Sequence, residues 1–360
     1  MKRIALIDYA RFIAAMAVVI YHYTLIGMSS GKVDTFVIYE PLAAIARYGL
    51  FGVELFFMIS GYVIFYSARN RKASEFAVSR ALRLLPAYWI AIIFTAIVTY
   101  FWGEDLFPIS LKMVVVNFTL LQSLFHIPHV DGVYWTLLYE IIFYAAVFGL
   151  LLLGFGKKLD IIFIGWPWLM LAAQLAGVGP KHLLGGFYFY FASGALFALL
   201  KDKSSPLVIA SLALSFVMAT LFSVNHYASI ALIPSVLIIS SFYLLFLFIT
   251  YHKAGQVKIA QSALLGALTY PLYLVHSHFG YMVFRQFGTA ENQVWLTCLT
   301  IAVVLVVAYL IHRIVEVQFA QFWRRFFDNI IGKPLRLIEG WSSNKTEGEG
   351  EEPTMNMGRD

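Results

Sequence analysis

Ten stretches of about twenty apolar residues run along the chain, at 5–27, 48–68, 84–103, 133–154, 159–177, 183–200, 206–224, 228–250, 262–285 and 293–316. Each has the length a helix needs to cross a bilayer. The stretches are continuous rather than alternating, which argues for helices and against an outer-membrane barrel. The pattern predicts an all-α polytopic membrane protein with about ten transmembrane helices. The start, MKRIAL, has the look of a signal peptide, but Asp8 and Arg11 interrupt its apolar core and no small-residue cleavage site follows. A retained first span is expected. From about residue 340 the apolar pattern ends, and the acidic, glycine-rich sequence predicts a disordered tail. The expected division is a membrane domain over 1–325 and a tail over 326–360, with no internal repeat.

Polar residues break the pattern where they are costly. The first stretch carries Asp8, Arg11 and His22. Arg11 and His22 are eleven positions apart, about 1100° of helical turn, so they fall within roughly 20° of each other. Asp8 lies on nearly the same line. Ionisable groups inside a spanning helix are usually functional, and this stripe reads as one wall of a chamber. Counting from the loop ends, Glu54 in GVELFF and Glu140 in YWTLLYE should lie at the depth of His22, with His276 in TYPLYLVH somewhat deeper. A carboxylate beside a histidine orients the ring and stabilises the imidazolium, which is what a general base for a hydroxyl needs. The plain alternative is a structural ion pair between helices.

Composition agrees with the pattern. Apolar residues make up 61% of the chain and charged residues 13%, against about half and a quarter in soluble domains; the mean hydropathy is +0.77. The single cysteine, Cys298, precludes an internal disulfide; the chamber's histidines and glutamates could hold a metal, but no pair among His22, Glu54, Glu140 and His276 has helical ligand spacing. The formal net charge of +6 is spread over several loops, so nucleic acid is not an expected partner. Twenty of the 26 lysines and arginines fall on the side of the N-terminus and five on the other, with Arg11 inside a span. By the positive-inside rule both termini are cytoplasmic. An eleventh span at 110–125 would reverse that bias, so this short segment is expected to be a re-entrant or interfacial helix, a lid on the outer side.

Other candidates are weaker when taken alone. Ser60-Gly61 near mid-membrane reads first as a small pair for close helix packing, with Ser60 as a conceivable acyl acceptor. Tyr270-Pro271 predicts a kink. Tyr134 and Trp135 fit an interfacial aromatic belt and offer faces for a sugar. His126, His129 and Asp131 read as solvated loop residues. Arg69, Arg71, Lys72, Arg80 and Arg83 form a basic cluster at the inner surface, which composition alone explains as topology or anionic-lipid contact. A secondary transporter or exporter with a charged midplane site accounts for many of these features.

Taken together, the segments LIDYARFIAAMAVVIYHY, GVELFFMISGYVIFY, RALRLLPAYW, YWTLLYEIIFY, LTYPLYLVH and HRIVEVQF resemble, in order, the membrane acyltransferase-3 family of integral-membrane O-acyltransferases. The resemblance covers nearly the whole membrane region. It departs at Tyr62, where members often have Phe, and at Val315-Glu316-Val317-Gln318, where they often have Ile-Glu-Lys-Pro. It implies a stand-alone membrane form in a bacterial inner membrane. The implied reaction moves an acyl group, commonly acetyl, from cytoplasmic acyl-CoA to a hydroxyl on an extracytoplasmic glycan, with no tightly bound cofactor. The resemblance implies that His22 is the essential histidine, supported by Arg11 and Glu54. It further implies that Arg80 and Arg83, with Arg69 beside them, hold the CoA phosphates. Glu140, Trp135, Tyr134, His276 and Ser60 are the remaining expected substrate contacts.

Overall fold

The computed structural model describes residues 3–103, 106–179, 181–252 and 260–348. Lys2, Lys253 and Lys258, three of the charges that set the expected orientation, lie outside them, as do residues 349–360 of the expected tail. The described secondary structure is entirely helical, and eight helices are long and apolar enough to cross a membrane. This is a multi-pass membrane protein.

Helix α1 (Ala5–Tyr21) continues through a π-helical turn over His22–Ile26. A short helix α2 (Glu40–Ala46) leads into α3 (Gly52–Ala68) and the long α4 (Ala73–Trp102). The segment expected as a lid forms only a seven-residue helix, α5 (Leu111–Asn117), and a short turn over Gln122–Phe125. Asn117 ties that segment together: its Nδ2 donates to the Met113 and Pro128 carbonyls, and its Oδ1 accepts from Val130 N. Then follow α6 (Trp135–Leu152), α7 (Leu159–Leu175), α8 (Tyr188–Asp202), α9 (Pro206–His226) and α10 (Leu232–Tyr251).

Two expected spans take other forms. Residues 183–200 become the fifteen-residue α8, buried on every side from Tyr188 to Leu200. A helix apolar all round belongs in a core, and α8 is the central post of the bundle. Residues 262–285 divide into α11 (Ser262–Val275) and α12 (Ser277–Phe287). The interruption falls at His276, one turn beyond the expected kink at Pro271. The chain closes with α13 (Gln293–Leu310), a second π-helical stretch over Ile311–Gln318, then α14 (Ala320–Phe327) and α15 (Lys333–Gly348). Helix thus extends past residue 340, where the sequence predicts disorder.

Glycine sets the closest contact. A Cβ at Gly61 on α3 would stand 2.0 Å from the Phe191 carbonyl oxygen of α8, and one at Gly194 on α8 would stand 1.8 Å from the Met58 oxygen of α3. The two backbones touch there, which only small residues permit. This contact fixes the rotation of α3 and so decides which of its side chains face the site.

Candidate functional site

The helices α1, α3, α4, α6 and α11 enclose a pocket of about 600 Å³ whose polar lining includes Arg11, Ser60, Arg83 and Glu140. Ser60 Oγ donates to Glu140 Oε1 at 3.0 Å, and the Tyr144 hydroxyl, one turn along α6, donates to the same oxygen. The Arg83 guanidinium lies 5.4 Å from the Tyr270 ring centre, and Nη1 is 3.8 Å from Glu316 Oε1. Glu316 is held from the other side by His312 Nδ1 at 2.8 Å. Arg83 also lines a second pocket of about 830 Å³ with Gln321 and Arg324, so its side chain stands between the interior and a mouth walled by α4 and α14.

The other expected arginines are placed differently. The Arg80 guanidinium lies 5.7 Å from the ring centres of Phe76 and Tyr144, in a separate apolar groove. Arg69 is engaged by Asp202 at 2.5 Å and Asp160 at 3.6 Å, which ties the end of α3 to α7 and α8.

A second polar cluster gathers around the break between α11 and α12. His22 Nδ1 is 2.7 Å from the Tyr281 hydroxyl, and the imidazole meets the buried His276 ring edge-on with centres 5.0 Å apart. His276 Nδ1 donates to the Tyr273 carbonyl at 2.8 Å, and its Nε2 is buried with no hydrogen-bond partner. Tyr273 also lines the Arg11 pocket, so this cluster adjoins that chamber. His22 opens the π-helical turn of the first span. Such turns carry one extra residue, shift the side chains that follow, and are frequent at functional sites.

The expected trio at one depth is therefore divided. Glu140 belongs with Arg11 and Ser60, while His22 belongs with Tyr281 and His276. Glu54 is wholly buried with Tyr227 as its neighbouring hydroxyl, and neither carboxyl oxygen makes a hydrogen bond of good geometry. Tyr134 is wholly buried with its hydroxyl donating to the Leu274 carbonyl at 3.2 Å, so it presents no free face. Trp135 remains partly exposed beside Tyr139 and Phe187.

Several neighbours of the site are not visible in the sequence pattern. Tyr281 is one. Asp131, expected in solvent, is fully buried: Oδ1 accepts from Val133 N at 3.1 Å and Oδ2 from His278 N at 2.9 Å. It pins the start of α6 to the start of α12. Asp-Gly just before an apolar run is a helix-start signal, and read that way it would have placed Asp131 inside. Arg324 reads in sequence as one more positive-inside charge.

These observations define a class: an all-helical, membrane-spanning bundle with a buried charged chamber and a histidine cluster adjoining it. The acyltransferase-domain family model, Acyl_transf_3, matches residues 4–313, and the chain belongs to that family. Glu316 and Arg324 lie just beyond the matched range. The chain is similar to exopolysaccharide production protein ExoZ of Rhizobium meliloti (strain 1021), with 32% identity over 143 residues, covering 36% of this chain and 41% of that protein. The match thus spans less than half of its relative's length. No solved structure matches the chain.

Proposed function

We propose that the protein is an inner-membrane O-acyltransferase with both termini cytoplasmic. It moves an acyl group, commonly acetyl, from cytoplasmic acyl-CoA to a hydroxyl of an extracytoplasmic glycan. The observation that carries the reading is the order of the polar residues: Arg83 and Arg324 at the mouth, Arg11, Ser60 and Glu140 in the chamber that Arg83 also lines, and Tyr273 at its wall, with His276 bonded to the Tyr273 carbonyl and His22 packed on His276.

The donor's phosphates rest at the mouth, where arginine forks can grip them in a bidentate way. Arg80 adds positive field from its neighbouring groove. The pantetheine arm threads the chamber over roughly half the bilayer core, about 15 Å, past Arg11 and the Ser60–Glu140 pair. With the proton on Nδ1, His22 donates to the Tyr281 oxygen and keeps Nε2 as a base. Nε2 takes the proton of the acceptor hydroxyl as its oxygen attacks the thioester carbonyl. The new C–O bond forms, the C–S bond breaks, and the imidazolium returns the proton to the CoA thiolate.

The test is transfer of labelled acetyl from acetyl-CoA to cell-envelope glycan in membranes carrying wild-type protein or the His22→Ala variant at equal expression. Label on glycan with the wild type alone is expected. Transfer retained by His22→Ala would overturn the mechanism. Label that crosses the membrane without becoming bound to glycan would point to a transporter.

A further inference from the structure

Beside the histidine cluster lies a separate pocket of about 460 Å³, lined among others by Lys32, Thr99, His129 and His278. The ring nitrogens of both histidines are engaged. His278 Nδ1 donates to the Val130 carbonyl at 3.0 Å, and its Nε2 accepts from Gly132 N at 3.2 Å. His129 is held by Gln122 Nε2 at 2.8 Å and Ser123 Oγ at 3.1 Å. Lys32 is different. It is half-buried and makes no ion pair or hydrogen bond among the described residues; its one contact of note is the Tyr281 ring, 5.5 Å from Nζ to the centre. Asp131 holds two backbone N–H groups, and Asp34 pairs with Arg285 at 3.2 Å.

Two further features shape the same space. Thr99 is 5% exposed, and its hydroxyl has no hydrogen-bond partner. Gly132 lies between the two groups: a Cβ there would make van der Waals contact with His278 Nε2 at 3.4 Å and Lys32 Nζ at 3.8 Å. An ammonium held half out of water without a counter-ion is ready for an anion. Tyr281 touches both groups: its ring lies 5.5 Å from Lys32 Nζ and its hydroxyl 2.7 Å from His22 Nδ1.

We infer that Lys32 is an acceptor-binding residue that takes the carboxylate of an acidic sugar, so that a hydroxyl of the same glycan reaches His22. The inference names the acceptor class for the acyltransferase reading above and rests on it for its biological meaning. Neutral glycans lack the anchoring charge and are poorer acceptors.

Two measurements decide it. The first needs no acyl transfer: the purified full-length protein is treated with sulfosuccinimidyl acetate, and the rate of Lys32 modification is read by peptide mass spectrometry, with exposed Lys112 and Lys181 as internal controls. Oligogalacturonate should slow modification of Lys32 several-fold, and a neutral galacto-oligosaccharide of equal length should not. Equal effects of the two sugars, or none, overturn the inference. The second compares native envelope glycan with the same glycan after its carboxylates are reduced to alcohols. The wild type should prefer the native form. Lys32→Met should lose that preference, with KM for native glycan raised about tenfold, the scale of a charge-assisted hydrogen bond, and kcat held. Lys32→Arg should restore it. Equal use of both glycans by the wild type overturns the inference and leaves the transferase reading intact. Absence of transfer to either glycan counts against the transferase reading, and the labelling result still decides the anion site.

Discussion

The Tyr281 hydroxyl stands 2.7 Å from His22 Nδ1, the place where a triad-like site would put a carboxylate. A phenol is a neutral partner. It holds the ring's orientation without adding a charge. Tyr281→Phe keeps the ring and removes only that bond, so kcat for acyl transfer should fall about tenfold, the scale of one hydrogen bond. KM for the donor should be unchanged. A variant with wild-type kcat would show that Tyr281 does not set the ring.

The crossing of α3 and α8 should be the least forgiving packing contact in the bundle. In Gly61→Ala the new methyl must displace the Phe191 carbonyl, 2.0 Å from its ideal position, and that oxygen belongs to backbone. Overpacking typically costs about 1–3 kcal/mol. The variant should melt several degrees lower in detergent, followed by fluorescence-detected size exclusion. Ser60→Ala, one residue away, removes a hydrogen bond to Glu140 and should leave the melting temperature nearly unchanged. Equal melting of Gly61→Ala and wild type would mean that the two helices do not meet there.

Much of this arrangement is legible in sequence because membrane spans are long and nearly charge-free. The stripe of Arg11 and His22 follows from helical arithmetic alone, and both residues line up toward the polar interior. The Ser60-Gly61 pair shows the limit of reading two neighbours as one feature. Gly61 packs against α8, and Ser60, rotated about 100° from it, faces the chamber. Glu54 shows why counting depth is insufficient. It lies six residues before Ser60, about 600° of turn, so the rotation that points Ser60 at Glu140 turns Glu54 by about 240° toward Tyr227. Depth gives height along a helix, and only packing gives the face. Tyr281, Asp131 and Lys32 reach the site from elements whose placement depends on loops, where no periodicity guides the reader.

The loop that closes the outer pocket should loosen in acid. Gln122 Nε2 donates to His129 Nδ1, so that nitrogen must be unprotonated. Burial holds the His129 pKa below the ordinary histidine value. The folded loop thus prefers the neutral ring, and the open loop binds the proton at higher pH. The loop's stability is complete above about pH 6.5 and is lost as pH falls below that value through the depressed folded pKa. Hydrogen exchange of amides 118–131, corrected for intrinsic rates, should accelerate on going from pH 7.5 to pH 5. In His129→Gln the acceleration should disappear. The same acceleration in that variant would assign the effect to another group.

The donor mouth makes the sharpest distinction among the arginines. Arg83 and Arg324 line one pocket, whereas Arg69 is tied to Asp202 and Asp160. Arg324 is exposed and carries no described structural bond, so Arg324→Ala should leave folding intact and raise KM for acyl-CoA about tenfold, as expected for one lost charge-assisted contact to phosphate. Its kcat should hold, because the contact is made equally before and during the reaction. Arg83→Ala should lower kcat as well, since Arg83 also lines the chamber and pairs with Glu316. Arg69→Ala should act through stability alone and appear as lower yield with normal kinetics per folded molecule. Steady-state kinetics against acyl-CoA, set beside the dephosphorylated donor that lacks the 3′-phosphate, separates the cases. The wild type should lose affinity on dephosphorylation and Arg324→Ala should lose little more. An unchanged donor KM in Arg324→Ala would move the phosphate site to the Arg80 groove.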